Sequence, residues 1–450
     1  MRVAIIGSGP AGFYAAEALL KRTDTLVHVD MFERLPTPFG LVRGGVAPDH
    51  QSIKAVSRVF EKTAARPTFR FIGNVCLGKD VTVDELRQHY HQIVYATGNE
   101  DDRRLGIPGE GITRCTPMTV FIGWYNGHPD YRQAKIDLSV SRVAVVGNGN
   151  VALDAARILL RAPGELEKTD ISGHALEALR NSKVKEVFLI GRRGPNQATF
   201  TPPELIEFGE MADLDLIVES NLFSDSVIPE TEDKTQQKIV KLLNAFSQRE
   251  TGAKEKKLHF RFLVSPTEVI AGADGAVAGL KLEKNRLETG PDGTVAVRGT
   301  GEIEVLPVGM VLPAIGYAAQ PIPGVPYDEK AMVIANENGR VVDPVTRTAI
   351  PNEYVVGWAR SGPRGQIGAH KGASARVVEL MIADGARLET RELPERDAIV
   401  AVLAGRNVNS LSFSDWKRLD EVEVMRGARR GAPRDKIVDV EAMLKVLAPS

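Results

Sequence analysis

Two stretches of the chain repeat one pattern, in which a short apolar run leads into a glycine-rich loop and then into a segment rich in Ala and Leu. The first is RVAIIGSGPAGFYAAEALLKR, near the start, and the second is SRVAVVGNGNVALDAARILL, at residues 141–160. An apolar run without alternation is typical of a strand buried on both faces, and the segment after each loop has the pattern of a helix. The chain therefore predicts an α/β fold with two Rossmann-like dinucleotide-binding domains.

The remaining pattern predicts further strands and one long irregular loop. HVDMFER predicts a strand that ends near Glu33, and KEVFLI predicts one directly before GRRGP. The segment LPTPFGLVRGGVAPDHQSIK is too rich in Pro and Gly for a helix or a strand, and loops of that length are often functional. Alternating apolar and charged positions in residues 395–450 predict helices with one solvated face.

The first loop, GSGPAG, has the G-x-G-x-x-G spacing in Gly7, Gly9 and Gly12. The first glycine permits a tight turn, the second lets a pyrophosphate approach the backbone, and the third lets helix and strand pack closely. Glu33 follows at the end of the next predicted strand, where a carboxylate can accept hydrogen bonds from ribose hydroxyls. A loop at this position with this acid predicts FAD as the first dinucleotide.

The second loop, GNGNVA, has the related G-x-G-x-x-A spacing in Gly147, Gly149 and Ala152. Asn148 and Asn150 add side-chain amides that can donate to phosphate oxygens. This loop therefore predicts a second dinucleotide. Two dinucleotides in one chain imply that electrons pass between them, from a nicotinamide coenzyme to a flavin.

Arg192 and Arg193 end the strand after the second loop, where an acid would bind the free 2′-hydroxyl of NAD. Two guanidinium groups would bind a 2′-phosphate instead, which predicts NADP(H). Arg192 lies 43 residues beyond Gly149, whereas the usual gap is about 20. The stretch GELEKTDISGHALEALRNSK is interpreted as an inserted helical segment that accounts for the excess. A solvated pair of surface arginines is the alternative interpretation.

Composition narrows the class of protein. The chain has 450 residues and a net charge of −1, so no general attraction to nucleic acid is expected. Cys76 and Cys115 lie far apart in sequence, which disfavours an iron–sulfur cluster, a metal site or a redox cysteine pair and suits a reducing cytoplasm. No apolar run approaches the ~20 residues that a membrane-spanning helix needs. A start directly in a strand leaves no room for a signal peptide, so a cytoplasmic location is predicted.

Several segments together resemble the adrenodoxin-reductase-type ferredoxin–NADP⁺ reductases, including the actinobacterial members. They are LPTPFGLVRGGVAPDH, FIGWYNGHP, GNGNVALDAARILL, GRRGP and NEYVVGWARSGPRGQIG. The resemblance runs from residue 1 to about residue 385. It implies an FAD domain built from residues 1–102 and 311–450, with an NADP domain inserted at 103–310.

The resemblance also implies roles for individual residues. The residues implied to contact FAD are Ala11, Glu33, Leu41, Cys76 through its backbone, Trp358, Gly365, Gln366 and Ile367. Those implied to hold NADP are Arg103, Asn148, Gly149, Asn150, Val151, Arg192, Arg193 and Glu204, with Gly365 near the nicotinamide. The helix after GQIG would direct its N-terminus at the flavin and stabilise negative charge there. For Trp358, a half-buried packing role is an equal alternative.

His50 and Glu207 form a further pair in the family pattern, near the flavin. One interpretation is a proton-handling pair that tunes the transfer between coenzyme and flavin. The alternative is a loop histidine that fixes backbone geometry and a glutamate on a solvated helix face. A modest supporting role is expected.

The function that the resemblance implies is FAD-dependent transfer of electrons from NADPH to a ferredoxin, one at a time. A pyridine nucleotide–disulfide reductase would need a redox cysteine pair, which the sequence lacks. A flavin monooxygenase stays open, because FIGWYNGH resembles its F-x-G-x-x-x-H signature with His128 one position late. An electron-input subunit of a larger enzyme also stays open, although such subunits usually carry cysteine-rich motifs.

A basic segment suggests where an acidic ferredoxin would dock. KIVKLLNAFSQRETGAKEKKLHFR is rich in Lys and Arg and includes Lys238, Lys241 and Arg249. A basic patch would steer an acidic carrier toward the protein at low salt. An ordinary solvated helix and turn is an equal alternative. Monomer and homodimer both remain open.

Overall fold

The structure is a computed structural model that describes residues 1–223, 233–290, 294–365, 367–385 and 392–448. It divides into two compact units. Unit 1 comprises Met1–Asp101, Asn126–Pro129 and Gly316–Ser450, and unit 2 comprises Asp102–Tyr125 and Asp130–Ile315. Each unit contains one of the two glycine-rich loops.

The elements alternate between strands and helices over much of the chain. In chain order, the strands are β1 Arg2–Ile6, β2 His28–Phe32, β3 Phe69–Ile72, β4 Gln92–Tyr95, β5 Asp101–Asp102, β6 Arg142–Val146, β7 Glu186–Ile190, β8 Leu214–Val218, β9 Lys256–Arg261, β10 Val264–Ala271, β11 Val277–Thr289, β12 Val295–Leu306, β13 Met310–Pro313, β14 Tyr317–Ala318, β15 Tyr327–Asp328, β16 Val333–Ile334, β17 Asn336–Glu337, β18 Arg340–Val342 and β19 Ala349–Val355. The helices are α1 Pro10–Leu20, α2 Leu41–Gly44, α3 Gln51–Lys54, α4 Ser57–Ala64, α5 Val83–His89, α6 Met118–Asn126, α7 Asn150–Leu160, α8 Pro163–Leu166, α9 Gly173–Arg180, α10 Pro202–Glu210, α11 Lys234–Ser247, α12 Trp358–Ser361, α13 Ala369–Gly385, α14 Ala398–Gly405, α15 Phe413–Ala428 and α16 Val440–Leu447.

Unit 1 is built on a seven-stranded sheet in the order β17-β18-β19-β4-β1-β2-β3. The five strands from β19 to β3 are parallel. Alternate residues of β1 enter opposite cores, since Val3 packs on one side of the sheet and Ala4 on the other. The central strand is therefore buried on both faces, as its unbroken apolar run predicts.

Unit 2 contains a five-stranded parallel sheet in the order β13-β6-β7-β9-β8. A second, antiparallel sheet has the order β10-β11-β12. Ala144 and Phe188 of the parallel sheet share one buried cluster with Leu280 and Leu282 of β11. The antiparallel sheet therefore covers part of one face of the parallel sheet.

The chain returns from unit 2 to unit 1 a few residues later than predicted, after Ile315 and not after residue 310. The sequence interpretation assigns residues 311–450 to the FAD domain, but β13 pairs in parallel with β6, Met310 facing Val143 and Pro313 facing Val146. This ladder holds the strand in unit 2, so the division falls at Ile315 and Gly316. The short segment Asn126–Pro129 belongs to unit 1.

The long Pro- and Gly-rich loop contains more structure than predicted. Two single helical turns, α2 and α3, form within it. The flanking Gly40, with φ at 48°, and Gly45 keep α2 to one turn. The segment interpreted as an inserted helical stretch contains α8 and α9, and the tail contains α14, α15 and α16, so those predictions are confirmed.

None of the helices in the described ranges is both long enough and apolar enough to cross a membrane.

Candidate functional site

In unit 1, the first glycine loop follows the central strand of the sheet. Because β1, β2, β4 and β19 are parallel, their carboxyl ends meet at one edge, with Ile6 beside Phe32 and Tyr95. The chain order reverses between β1 and β4, which makes this a topological switch point. Crevices at such points are where doubly wound sheets bind ligands.

The three glycines of this loop meet three different constraints. Gly7 has φ at 102°, and a Cβ there would lie 2.5 Å from Ala96 O. A Cβ on Gly12 would lie 2.3 Å from Gly7 O, so this glycine permits helix and loop to touch. At Gly9, nothing lies within 4 Å of the Cβ position. Gly9 caps the N-terminus of α1, so the open space lies beside unpaired helical N–H groups that favour an anion.

Glu33 ties the end of β2 to the glycine loop. Glu33 Oε2 accepts hydrogen bonds from Ser8 N at 3.1 Å and Ser8 Oγ at 2.6 Å. Glu33 Oε1 accepts from Leu35 N at 3.1 Å. A carboxylate oxygen can accept twice, so Oε1 retains capacity for a ribose hydroxyl. Glu33 therefore both shapes the loop and presents an acceptor beside it.

A glycine-rich turn follows β19 at the same edge of the sheet. Gly357, Gly362 and Gly365 all have positive φ, at 67°, 74° and 85°. A Cβ on Gly357 would lie 2.5 Å from Ala11 Cβ, so this turn passes directly over the start of α1. The turn is thereby held beside the first glycine loop.

Trp358 stands in this turn and belongs to a small group of rings. Its indole stacks on Tyr317, with 5.8 Å between ring centroids and 18° between planes. His370, at the start of α13, meets it edge to face at 6.4 Å, and burial lowers the pKa of that imidazole. Trp358 Nε1 is buried and has no hydrogen-bond partner among the described residues. This buried donor is therefore available to a ligand.

In unit 2, the second glycine loop stands at the equivalent point of its own sheet. Gly147 follows β6, with φ at 150°, and a Cβ there would lie 2.3 Å from Ala314 O at the end of β13. Gly149 caps the N-terminus of α7. Thr199 secures the loop, since its N and Oγ1 each donate to Asn148 O at 2.8 Å. Asn150 Oδ1 accepts from Thr201 N at 2.8 Å.

Arg192 and Arg193 lie on the surface directly after β7. Neither guanidinium pairs with a carboxylate in the part of the chain that the structure describes. Gly191 precedes them, and a Cβ there would fall 1.8 Å from Asn148 Nδ2, so the arginine loop lies against the glycine loop. Two exposed cations beside a helix N-terminus form an arrangement suited to a phosphate monoester.

Arg157, on α7, is a fully buried cation that holds three carboxylates of unit 2. It forms ion pairs with Asp154 at 2.7 Å, Glu204 at 3.0 Å and Glu207 at 3.5 Å. Glu204 is almost fully buried, whereas the Glu207 side chain is about one-third exposed at 38%. Burying a carboxylate requires such compensation, and Arg157 supplies it for Glu204.

Comparison with known proteins establishes the family. The chain is 40% identical over 457 residues to the NADPH-ferredoxin reductase FprA of Mycobacterium tuberculosis, covering 99% of this chain and 98% of that protein. This chain belongs to the adrenodoxin-reductase-type ferredoxin–NADP⁺ reductases.

Other relatives support the same assignment to this reductase family. The mitochondrial NADPH:adrenodoxin oxidoreductase of Homo sapiens is 42% identical over 463 residues, covering 99% of this chain and 92% of that protein. The structure of Mycobacterium tuberculosis FprA in complex with NADPH matches with a TM-score of 0.94 at 40% identity, covering 99% of both chains. Residues 1–194 match the broader family of pyridine nucleotide-disulphide oxidoreductases.

The remaining residues that this reductase family implies are distributed between the units. Leu41 begins α2 and is exposed, at 41%. Cys76 N donates to Asp80 Oδ2 at 2.8 Å, and Cys76 O accepts from Asp80 N at 2.8 Å. Both cysteines of the chain are free thiols. Ile367 packs against the core of unit 1, and Gln366 lies outside the described residues.

Three further predicted residues have less defined surroundings. Val151 lies in the first turn of α7, and Arg103 is partly buried at the start of unit 2. His50 is buried in unit 1, where it precedes α3, whereas Glu207 belongs to unit 2. Their pairing stays a prediction.

Both dinucleotides of this family fit the residues present. In unit 1, the open backbone at Gly9, the acceptor on Glu33 and the unpartnered Trp358 N–H suit the pyrophosphate, ribose and ring system of FAD. In unit 2, the N-terminus of α7 and the two exposed guanidinium groups suit NADP(H).

Sequence reasoning missed several residues that shape these sites: Ser8, Tyr317, Gly191, Arg157 and Asn285. For Arg157 a signal exists, because one arginine interrupts the apolar helix NVALDAARILL three residues after an aspartate. For the other four, contacts between distant segments determine the role. No local pattern in the sequence indicates the roles of these four residues.

Proposed function

We propose that this chain is an FAD-dependent NADPH:ferredoxin oxidoreductase. The observation that carries the proposal is a glycine loop at the switch point of each unit, with an acid beside the first and two exposed arginines beside the second. The acid suits a free ribose hydroxyl, and the arginines suit a 2′-phosphate. The activities named for FprA and for human adrenodoxin oxidoreductase agree with this pairing.

The residues of unit 1 would bind and orient FAD. The N-terminus of α1 would stabilise the pyrophosphate, and Glu33 Oε1 would accept from a ribose hydroxyl. Trp358, braced by Tyr317, would supply an indole N–H and an apolar wall beside the ring system. When bound, FAD supplies the redox chemistry, accepting an electron pair from NADPH and releasing electrons singly to a one-electron carrier.

The residues of unit 2 would bind NADPH and select it over NADH. The N-terminus of α7 would stabilise the coenzyme pyrophosphate, and Arg192 with Arg193 would bind the 2′-phosphate. Arg157 would hold Glu204 at the NADP site through its ion pair. Each of these groups positions the coenzyme and does not itself exchange electrons with it.

The docking surface for an acidic ferredoxin would be one face of α11. Lys234, Lys238 and Lys241 are exposed at helical spacing, opposite the buried Ile239 and Leu243. Arg249 was predicted to belong to the same surface. Its guanidinium donates to Gly209 O at 3.1 Å, so it is less free to reorient toward a partner than the lysines are. A row of lysines would attract an acidic carrier to this face without requiring one fixed docking orientation. The cytoplasmic location remains a prediction from the composition.

Two measurements on the purified protein test this function. Denaturation should release one FAD per chain, identified by chromatography, and NADPH should reduce ferricyanide and, through added ferredoxin, cytochrome c. FMN in place of FAD would contradict the assignment of unit 1. Accumulation of an oxygenated organic product in step with NADPH consumption would support a monooxygenase instead.

A further inference from the structure

Asn285 is a buried polar residue of β11, the central strand of the antiparallel sheet in unit 2. Its side-chain nitrogen donates to Arg192 O at 2.9 Å and to Ser265 Oγ at 2.8 Å. A side chain 93 residues away in sequence therefore holds the backbone of the arginine pair.

The bond to Arg192 O completes a row of three. The carbonyl of the preceding residue accepts from Val264 N at 3.1 Å, and that of the following residue accepts from Leu263 N at 3.1 Å. These two donors are backbone groups, which most residues could supply. The middle carbonyl depends on the Asn285 side chain, so this contact alone is specific to the residue type.

Local distortions of the backbone accompany this contact. The register of β11 against β12 shifts between Glu283 and Asn285, and Asn285 N donates to Leu263 O at 2.7 Å. Bulges of this kind commonly re-aim a side chain. Leu263 itself has φ at 56°, a conformation that costs energy for a residue with a side chain. Both irregularities lie directly beside the contact between Asn285 and the arginine loop.

We propose that Asn285 is a positioning residue for coenzyme specificity, which acts by fixing the backbone from which Arg192 and Arg193 project. The inference rests on the proposed role of these two arginines at the 2′-phosphate. Their guanidinium groups have no carboxylate partner within the described residues, so the backbone is the part of the arginine pair that the protein holds in place. An arginine pair whose backbone is already held in place loses less conformational entropy when the phosphate binds.

The test compares four variants with the parent holoenzyme: Asn285→Ala, Asn285→Leu, the double variant Arg192→Ala/Arg193→Ala, and Thr300→Ala. Leu keeps the branched shape and the number of heavy atoms of the Asn side chain but donates no hydrogen bond. Thr300 is the control, because its Oγ1 bonds Lys284 O at 3.0 Å in the same hairpin without reaching the arginine loop. The readouts are kcat/KM for NADPH relative to NADH with ferricyanide, and calorimetric binding of adenosine 2′,5′-bisphosphate and of AMP.

Both Asn285 variants should lower the NADPH-to-NADH ratio about fivefold, the effect of one hydrogen bond of ordinary strength. Binding of the bisphosphate should weaken to the same extent, AMP binding should stay constant, and Thr300→Ala should match the parent. Equal losses with both coenzymes, a parental ratio in Asn285→Leu, or a Leu variant that cannot fold would overturn the inference. A double arginine variant with an unchanged ratio would instead refute the arginine assignment itself.

Discussion

Two glycines of the first loop occupy very different surroundings, which the sequence motif alone does not distinguish. Gly12 is required by the protein itself, because a Cβ there would collide with Gly7 O. Gly9 has φ at −73°, which any residue adopts, and nothing in the described structure occupies its Cβ position. We therefore expect the reason for a glycine at position 9 to lie in the bound ligand and not in the packing of the chain.

Gly9→Ala and Gly12→Ala should consequently fail in different ways. The first should leave the thermal stability of the apoprotein nearly unchanged and weaken FAD binding at least tenfold, because the methyl group occupies the space a pyrophosphate needs. The second should lower apoprotein stability by roughly 1–3 kcal/mol, the usual cost of overpacking. Differential scanning fluorimetry and FAD titration of the apoproteins distinguish these effects. An unimpaired FAD affinity in Gly9→Ala would mean that the loop is only a turn.

The arginine pair provides a second test at the residue scale. Removing both guanidinium groups should raise KM for NADPH by about two orders of magnitude, since each charge-assisted contact contributes ~1.5–3 kcal/mol and the two are not fully additive. KM for NADH should barely change, and kcat should fall less than KM rises, because the phosphate contributes uniform binding. Steady-state kinetics with both coenzymes measure this. Equal losses for NADH and NADPH would assign the pair to folding or to the pyrophosphate.

Among the elements, α5 shows how a helix start can make stability depend on pH. Thr82 and Glu85 form a capping box, with Glu85 N donating to Thr82 Oγ1 at 3.2 Å and Thr82 N donating to Glu85 Oε2 at 2.9 Å. Arg406, which follows α14, also pairs with Glu85. The Arg406 guanidinium lowers the pKa of this carboxyl from 4.5 to about 2.

The lowered pKa fixes the sign of the pH effect. Ionised Glu85 stabilises the fold fully above its unfolded pKa near 4.5, and this stabilisation is lost as the pH falls toward 2. Glu85→Gln should therefore be less stable than the parent by about 1 kcal/mol at pH 7, with the difference shrinking below pH 4.5. Thermal unfolding between pH 7 and pH 3 measures it, with the exposed Glu329→Gln as control. A difference that stayed constant with pH would exclude the ion pair as its source.

At the scale of the whole molecule, charge is distributed so that a nearly neutral chain can still present a local basic face. The net charge is −1, yet Lys234, Lys238 and Lys241 share the exposed side of α11. Several other cations of the basic segment are engaged elsewhere. Lys256 Nζ donates to Leu160 O at 2.7 Å, and burial lowers the pKa of its ammonium group. The basic face is thus narrower than the sequence suggests.

Charge reversal at Lys238 and Lys241 should weaken ferredoxin-dependent reduction of cytochrome c and leave ferricyanide reduction unchanged. The loss should be several-fold at low ionic strength and should diminish as salt rises, because screening removes steering between exposed charges. Lys183→Glu, at an exposed residue of unit 2 that does not belong to α11, is the control. If ferricyanide and cytochrome c reduction declined together, the lysines would have a structural role and no docking role.

The sequence was most informative where a feature is local. Apolar runs predicted β1, β6 and β7, and glycine spacing located both switch points, because strand burial and tight turns depend on residues that are close together in sequence. The sequence was less informative about where one unit ends and the other begins. The strand β13 appears as an apolar run in either assignment, and only its pairing with β6 places it in unit 2.

By itself, then, the sequence determined that the chain holds two βαβ dinucleotide loops, with an acid following one and arginines following the other. Tertiary structure decided which distant groups pair in and around these loops: Ser8 with Glu33, Arg157 with Glu204, and Asn285 with the carbonyl of Arg192. The physical reason is that most buried polar groups pair with whichever group folding brings within about 3 Å. That partner is set by the packing of elements far apart in the chain, which no local spacing records.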